Sequence, residues 1–182
     1  MAEQRRLRQR PLGWLNTKMF DETGDEQKSQ GWTAFILDTN GNGKRDEYVE
    51  PDQPADPVKD KRIVAGYYGI GVNPVDGSVW GSVLSFPGAV IRMNPGDNPP
   101  ATALTEIFEV PWNEPKAAVN GYGPRGGDID RNGVFWASLA SGHLASFDRR
   151  KCQGPLKARP RRESTVPRAG RFTLSRDRSF KA

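Results

Sequence analysis

The sequence predicts an all-β fold of about three successive antiparallel meander units set between two basic tails. Three observations predict it: an internal repeat with two clear copies, Asp-Gly and Asn-Gly turns between β-branched and aromatic runs, and a turn-rich composition. With Gly 20 and Pro 15 among 182 residues and only 35% hydrophobic content, the chain favours turns and short strands over helices. The repeat units are expected at about 11–50, 66–112 and 122–150, within a body of 11–156; residues 1–10 and 157–182 read as disordered tails.

The two clear copies are Ile70 to Asn94 (IGVNPVDGSVWGSVLSFPGAVIRMN) and Gly127 to Asp148 (GDIDRNGVFWASLASGHLASFD). Asp76-Gly77 matches Asn132-Gly133, Trp80 matches Trp136, Ser82 matches Ser138, Gly88 matches Gly142, and Met93-Asn94 matches Phe147-Asp148. Each copy reads as a strand, a tight turn, a strand bearing Trp, a Gly-containing turn and a strand ending in Asn or Asp. The turn residues supply the positive φ that a two-residue hairpin needs. A degenerate copy opens at Trp14 with LGWLNT, carries a longer insertion and resumes with TAFILD, Thr33 to Asp38. TEIFEV, Thr105 to Val110, has the period of a half-buried outer strand, and Trp112 opens a connector to the next unit. One meander cannot bury both of its faces, so such units stack around a ring, as a partial β-propeller, or along a row. Trp14, Trp80 and Trp136 are then aromatics that pack repeat on repeat.

The net charge of +5 is not a property of the body. Pro11 to Asp148 holds 11 Lys and Arg against 19 Asp and Glu, a net of −8, whereas the first ten residues hold four Arg against Glu3, and Arg149 to Ala182 holds 12 basic residues against Glu163 and Asp177. Basic ends of this kind are solvated arms without specific nucleic-acid recognition. No apolar run reaches membrane-spanning length, and the sequence as written shows no signal peptide. A lone Cys152 excludes an internal disulfide and a thiolate metal cluster.

The repeat pattern, DGSVWGS…GAVIRMN and NGVFWAS…GHLASFD, resembles the streptogramin lyase (virginiamycin B lyase) type of β-propeller over about Pro11 to Leu156. The resemblance implies a propeller architecture; in that family a His and a Glu near a bound Mg²⁺ open a cyclic depsipeptide by elimination. His143, in the turn before the last strand of its repeat, is the one His to carry such a role, and a solvated turn residue is its plainer reading. No motif fixes a partner Glu. Arg125 and Asp128 flank Gly126-Gly127 where such propellers place a ligand-facing inner strand; the plainer reading is a surface pair between the two.

Asp38-Thr-Asn40-Gly-Asn42-Gly-Lys-Arg-Asp46-Glu47 has the oxygen-ligand spacing of a calcium loop, with Asp38, Asn40, Asn42 and Asp46 as ligands and Gly43 at the sixth position. Val49 stands where a helix-flanked loop carries a bidentate Glu, which excludes that version; Glu47 or Glu50 would substitute. The same Asn-Gly-Asn-Gly run is also an efficient turn. Bound Ca²⁺ would order the excursion EYVEPDQPADPVKDKRI rather than perform chemistry.

Beyond Leu156 the repeat pattern stops, and an Arg-, Pro- and Ser-rich stretch follows. That composition is what GC-rich DNA yields in a wrong frame, and a frame two bases later admits a Pro- and Gly-punctuated aromatic strand with a second Cys. On this reading the parent protein is exported and Cys152 is disulfide-bonded there; a genuine disordered basic arm is the alternative. The sequence-based expectation for function is a ligand-binding or scaffold role, partnered by remaining propeller blades or by self-association. A streptogramin-lyase-like carbon-oxygen lyase in the parent, with Mg²⁺, is the alternative.

Overall fold

The structure is a computed structural model that describes residues 11–115 and 117–152, together with the backbone of Phe172–Ser175. The fold is all-β: thirteen described strands, a few short helices, and three sheets of which none closes. No helix among the described residues is long and apolar enough to cross a membrane. The chain divides into two compact units, one of Met1–Gly66 with Pro95–Thr105, the other of Tyr67–Asn94 with Glu106–Ala182.

In the first unit, β1 (Leu12–Leu15) pairs antiparallel with β2 (Gln30–Thr33) as a separate two-stranded sheet. Its register sets Trp14 opposite Gly31 and Trp32 opposite Gly13. A Cβ on Gly31 would sit 3.1 Å from the Trp14 ring, so each indole lies across a bare backbone. The insertion between these strands forms two short helices, α1 (Thr17–Thr23) and α2 (Glu26–Ser29). Asn16 and Asp25 cap them, accepting the Met19 and Lys28 backbone N–H groups at 3.0 and 3.1 Å, as N-cap Asn and Asp side chains do.

β3 (Phe35–Leu37) is buried at all three residues and runs antiparallel to β5 (Asp60–Ile63), while β4 (Tyr48–Val49) is parallel to β5. The degenerate first copy therefore departs from the expected antiparallel meander: Trp14 belongs to the small sheet rather than to the strand that continues TAFILD, and two of this unit's pairings are parallel. The physical cause is the inserted length. Helices and long loops take the places where tight hairpin turns would force neighbouring strands together.

The second unit holds two meanders. The first runs β6 (Tyr68–Val72), β7 (Val79–Val83), β8 (Ala89–Asn94) and then the Glu106–Glu109 part of β9 (Leu104–Glu109), which follows α3 (Pro99–Thr102). The second runs β10 (Pro124–Ile129), β11 (Phe135–Leu139), β12 (Leu144–Phe147) and β13 (Phe172–Ser175). The Asp-Gly and Asn-Gly turns stand where expected, with φ of 70° at Gly77 and 78° at Gly133. Both opening hairpins carry a register shift at the same place, between Tyr68 and Ile70 in one and between Arg125 and Asp128 in the other. In both, the Ser after the Trp donates its Oγ–H to the bulge carbonyl: Ser82 to Tyr68 at 2.6 Å and Ser138 to Arg125 at 2.9 Å.

The two inner strands meet at these bulges. Gly69 has a φ of 76°, and a Cβ there would fall 2.8 Å from the Gly126 Cα, so a side chain would hold the strands apart. The core between the meanders is Trp80, Val90 and Phe108 against Phe135, Ala137 and Phe147, with Ile129 and Cys152 at its margin. Trp80 stacks on Phe135 at 5.8 Å and on Phe108 at 6.1 Å between ring centroids, and Phe108 lies 4.4 Å from Phe147. Alternation along β11 sends Phe135, Ala137 and Leu139 inward and leaves Trp136 on the other face, 40% exposed. Trp80 thus packs its meander on the next one, whereas its counterpart Trp136 lies on the outer face.

The strand β13 pairs along β12, Phe172 opposite Phe147 and Ser175 opposite Leu144. It falls inside the stretch expected to lack structure, and it gives the second meander a fourth strand. The rest of the two expected tails, and with them the shifted-frame reading, lies outside the described residues.

Candidate functional site

The acidic loop after β3 is held by its own side chains. Asp38 accepts the Gly41 N–H at 2.5 Å and the Gly43 N–H at 2.8 Å, one with each carboxylate oxygen. Asn40 Oδ1 accepts the Asn42 N–H and Asn42 Oδ1 the Lys44 N–H, at 3.1 and 2.8 Å. Both amide groups donate to the same atom, Asp46 Oδ2, at 2.7 and 2.6 Å. Those two bonds hold the Asp46 carboxyl below the usual aspartate range. All four expected ligands therefore belong to one loop; Asn40, Asn42 and Asp46 are bonded to one another, and Asp38 to the backbone between them.

A fifth residue, Asp60, stands at the base of this loop and was not singled out in the sequence. The parallel pairing of Tyr48 with Asp60 and Val49 with Lys61 brings the start of β5 beside the loop's exit. Asp60 is fully buried; its Oδ2 accepts the Asp46 N–H at 2.8 Å, and its Oδ1 has no hydrogen-bond partner. Burial, aided by the Asp38 and Asp46 carboxylates, pushes the Asp60 carboxyl above its ordinary range, against the lowering effect of the Asp46 and Thr39 backbone N–H groups. As the side chains stand, no three His, Cys, Asp or Glu among the described residues converge closely enough to hold a metal ion. Glu47 and Glu50, the substitutes considered from spacing, are turned to Lys59 at 2.9 Å and Arg62 at 3.5 Å.

His143 sits in the turn between β11 and β12 and is 8% exposed, not the solvated turn residue of the plainer reading. Its Nδ1 lies 3.0 Å from Ser141 Oγ, and that same oxygen accepts the Tyr122 N–H at 3.1 Å. Ser141 thus fastens the turn to the connector that precedes β10, with the imidazole bonded to the same hydroxyl. Three aromatics crowd the same loop end: Phe86, Trp112 and Tyr122 lie 5.2 to 5.6 Å apart pairwise, with Phe86 67% and Trp112 44% exposed. Antiparallel alternation explains the gathering, since the β7–β8 turn, the connector into β10 and the β11–β12 turn all fall at one end of the two meanders.

Arg125 and Asp128 bracket the β10 bulge, both exposed. Asp128 Oδ1 accepts its own neighbour's N–H, Ile129, at 2.8 Å, and among the described residues no ion pair joins Asp128 to Arg125. The surface pair expected from their spacing is absent because the intervening bulge turns consecutive residues out of simple alternation.

The strongest charged network lies elsewhere and was missed in the sequence. Glu106 accepts two bonds from Arg149, at 2.6 Å each, and one from Arg92 at 3.0 Å. Arg92 continues to Asp76 at 2.8 Å and to Ser78 Oγ at 3.2 Å, and Ser78 Oγ accepts the Trp80 indole N–H at 2.8 Å. The chain of bonds runs from the helical turn after β12 to the indole at the centre of the core. Residues so far apart in sequence give no local signal of it. Burial pushes the neighbouring Cys152 thiol up, away from thiolate reactivity.

No protein-family model matches this sequence, and comparison with curated proteins and with solved structures returns no match.

Proposed function

We propose that this chain is a propeller-type repeat scaffold, a binding module without catalysis of its own. The observation that carries the reading is the core of the second unit: the Trp80 face of one meander is covered by the Phe135 and Phe147 face of the next. Units that stack in this way offer opposite faces to their two neighbours. The second meander has used its Phe135 face, and its Trp136 face, with Leu144 45% exposed beside it, repeats the position of the covered Trp80 face. The resemblance to lyase-type propellers agrees with this architecture. The carbon-oxygen lyase alternative rests on His143, whose ring is engaged with Ser141 in a turn, and no observation at that turn favours it.

A face built like a covered one but left open among the described residues is met in solution by a second copy of the chain. Light scattering of the full chain is expected to show association that rises with concentration, and Trp136→Glu to shift it toward monomer with the circular dichroism unchanged. A chain that stays monomeric at every concentration, or a variant that associates as the original does, overturns the reading.

A further inference from the structure

We propose that Asp38, Asn40, Asn42 and Asp46, together with Asp60 at their base, form a calcium-binding site. The inference does not depend on the scaffold reading, since all five residues lie in the first unit. Loop spacing alone would not carry it. What carries it is Asp60: a fully buried carboxylate at the base of a loop that already holds two carboxylates, one oxygen taking the Asp46 N–H and the other without a hydrogen bond. A buried oxygen left without a bond is costly, and a third acid placed beside two others adds repulsion. A divalent cation answers both at once.

The parallel register of β4 on β5 explains why Asp60 is the missing ligand. A helix-flanked calcium loop closes with a bidentate acid at its twelfth position, which here is Val49. Val49 instead enters β4, and its strand partner β5 delivers Asp60 to the same end of the loop from across the sheet. An acid from a neighbouring strand takes the part that a downstream Glu takes elsewhere.

Donor chemistry selects the ion. All five side chains offer oxygen and none offers imidazole or thiolate, which excludes a zinc-type set. Two amides and two carboxylates on the loop, with a third carboxylate from β5, suit the irregular six- to eight-oxygen shell of Ca²⁺ better than the strict octahedron of Mg²⁺. Asp46 Oδ2 is now neutralised by two amide N–H groups, from Asn40 and Asn42. Asn40 and Asn42 Oδ1 each accept one backbone N–H and keep a second lone pair for a cation, which would take over at Asp46 the part that the two amide donors now play.

The test uses the full chain, stripped with a chelator and titrated with CaCl₂ by calorimetry and by equilibrium dialysis. One Ca²⁺ per chain is expected, with a Kd on the order of 10⁻⁴ M, weaker than an all-Asp sensor loop because two ligands are neutral. Asp60→Asn is expected to weaken binding at least tenfold. Asp46→Asn, in the loop outside the sheet, is expected to do the same and decides the matter if Asp60→Asn fails to fold by circular dichroism. Absence of saturable uptake up to roughly 10⁻² M, above the weakest calcium modules, overturns the site. So does an unchanged Kd in the folded variants, and so does MgCl₂ binding as tightly as CaCl₂.

Discussion

The two meanders of the second unit are built alike and end differently. Both have a register shift in the opening hairpin, a Ser bonded to the bulge carbonyl and a Trp two residues before it, yet Trp80 is 1% exposed and Trp136 40%. Strand alternation decides which face a residue occupies; what lies against that face decides whether it is buried. Trp80 meets Phe135 and Phe147, and its indole N–H bonds Ser78. Trp136 meets no such face among the described residues, and its indole N–H reaches back to Asp130 in its own turn at 3.1 Å.

The largest way to break this pairing is to delete both indoles in turn. Trp80→Ala is expected to cost about 3–5 kcal/mol, because it empties the centre of the aromatic core and leaves a cavity flanked by three rings. Trp136→Ala is expected to cost under ~1 kcal/mol, as an exposed side chain with one surface bond. Urea denaturation of both variants checks the difference; equal losses would mean that the Trp136 face is covered after all.

The two meanders were legible in sequence because their signals are local: turn dipeptides, alternation and a Trp at a fixed place in the strand. Those signals put Trp80 and Trp136 in matching positions and predicted the hairpins around Gly77 and Gly133. They failed for the first unit, where the insertion after Asn16 folds into two capped helices and detaches Trp14 from the later strands. The four proposed loop ligands were legible as a spacing, whereas Asp60 was not, since only the β4–β5 register brings it there. For the same reason Glu106 gave no hint of its two arginines. The plainer reading of His143, a solvated turn residue, failed because a turn in sequence says nothing of the connector bonded to it through Ser141.

A smaller effect follows from the polar side of the Trp80 face. Glu106→Gln keeps the shape of the side chain but removes the charge that Arg92 and Arg149 share, and Arg92 is only 12% exposed at its side chain. The expected loss is about 1–3 kcal/mol, larger than for a surface ion pair because a mostly buried guanidinium is left with less compensation. The second meander has Ser146 at the strand position of Arg92, opposite Trp136 as Arg92 is opposite Trp80. The network therefore belongs to the covered face, and a loss below ~0.5 kcal/mol by thermal unfolding would mark it as a surface contact only.

The smallest effect sharpens the comparison through pH. Asp76 and Asp130 each stand in the turn that precedes a Trp, and both carboxyls are held below the ordinary aspartate value of 3.8. At Asp76, burial works upward and is outweighed by bonds from Ser78 and Arg92; at Asp130, the Val134 N–H leads, followed by the Trp136 indole. A carboxyl depressed by folding stabilises the native state above its unfolded value, and that contribution is lost as pH falls through the lower, folded one. Stability is thus expected to hold from neutral pH down to the ordinary aspartate value and to fall below it. Asp76→Asn should flatten that acid limb more than Asp130→Asn, because only Asp76 is tied through Arg92 to the buried face. Urea midpoints measured across the acid range decide it, and an equal flattening by both substitutions would place the two turns in the same electrostatic setting.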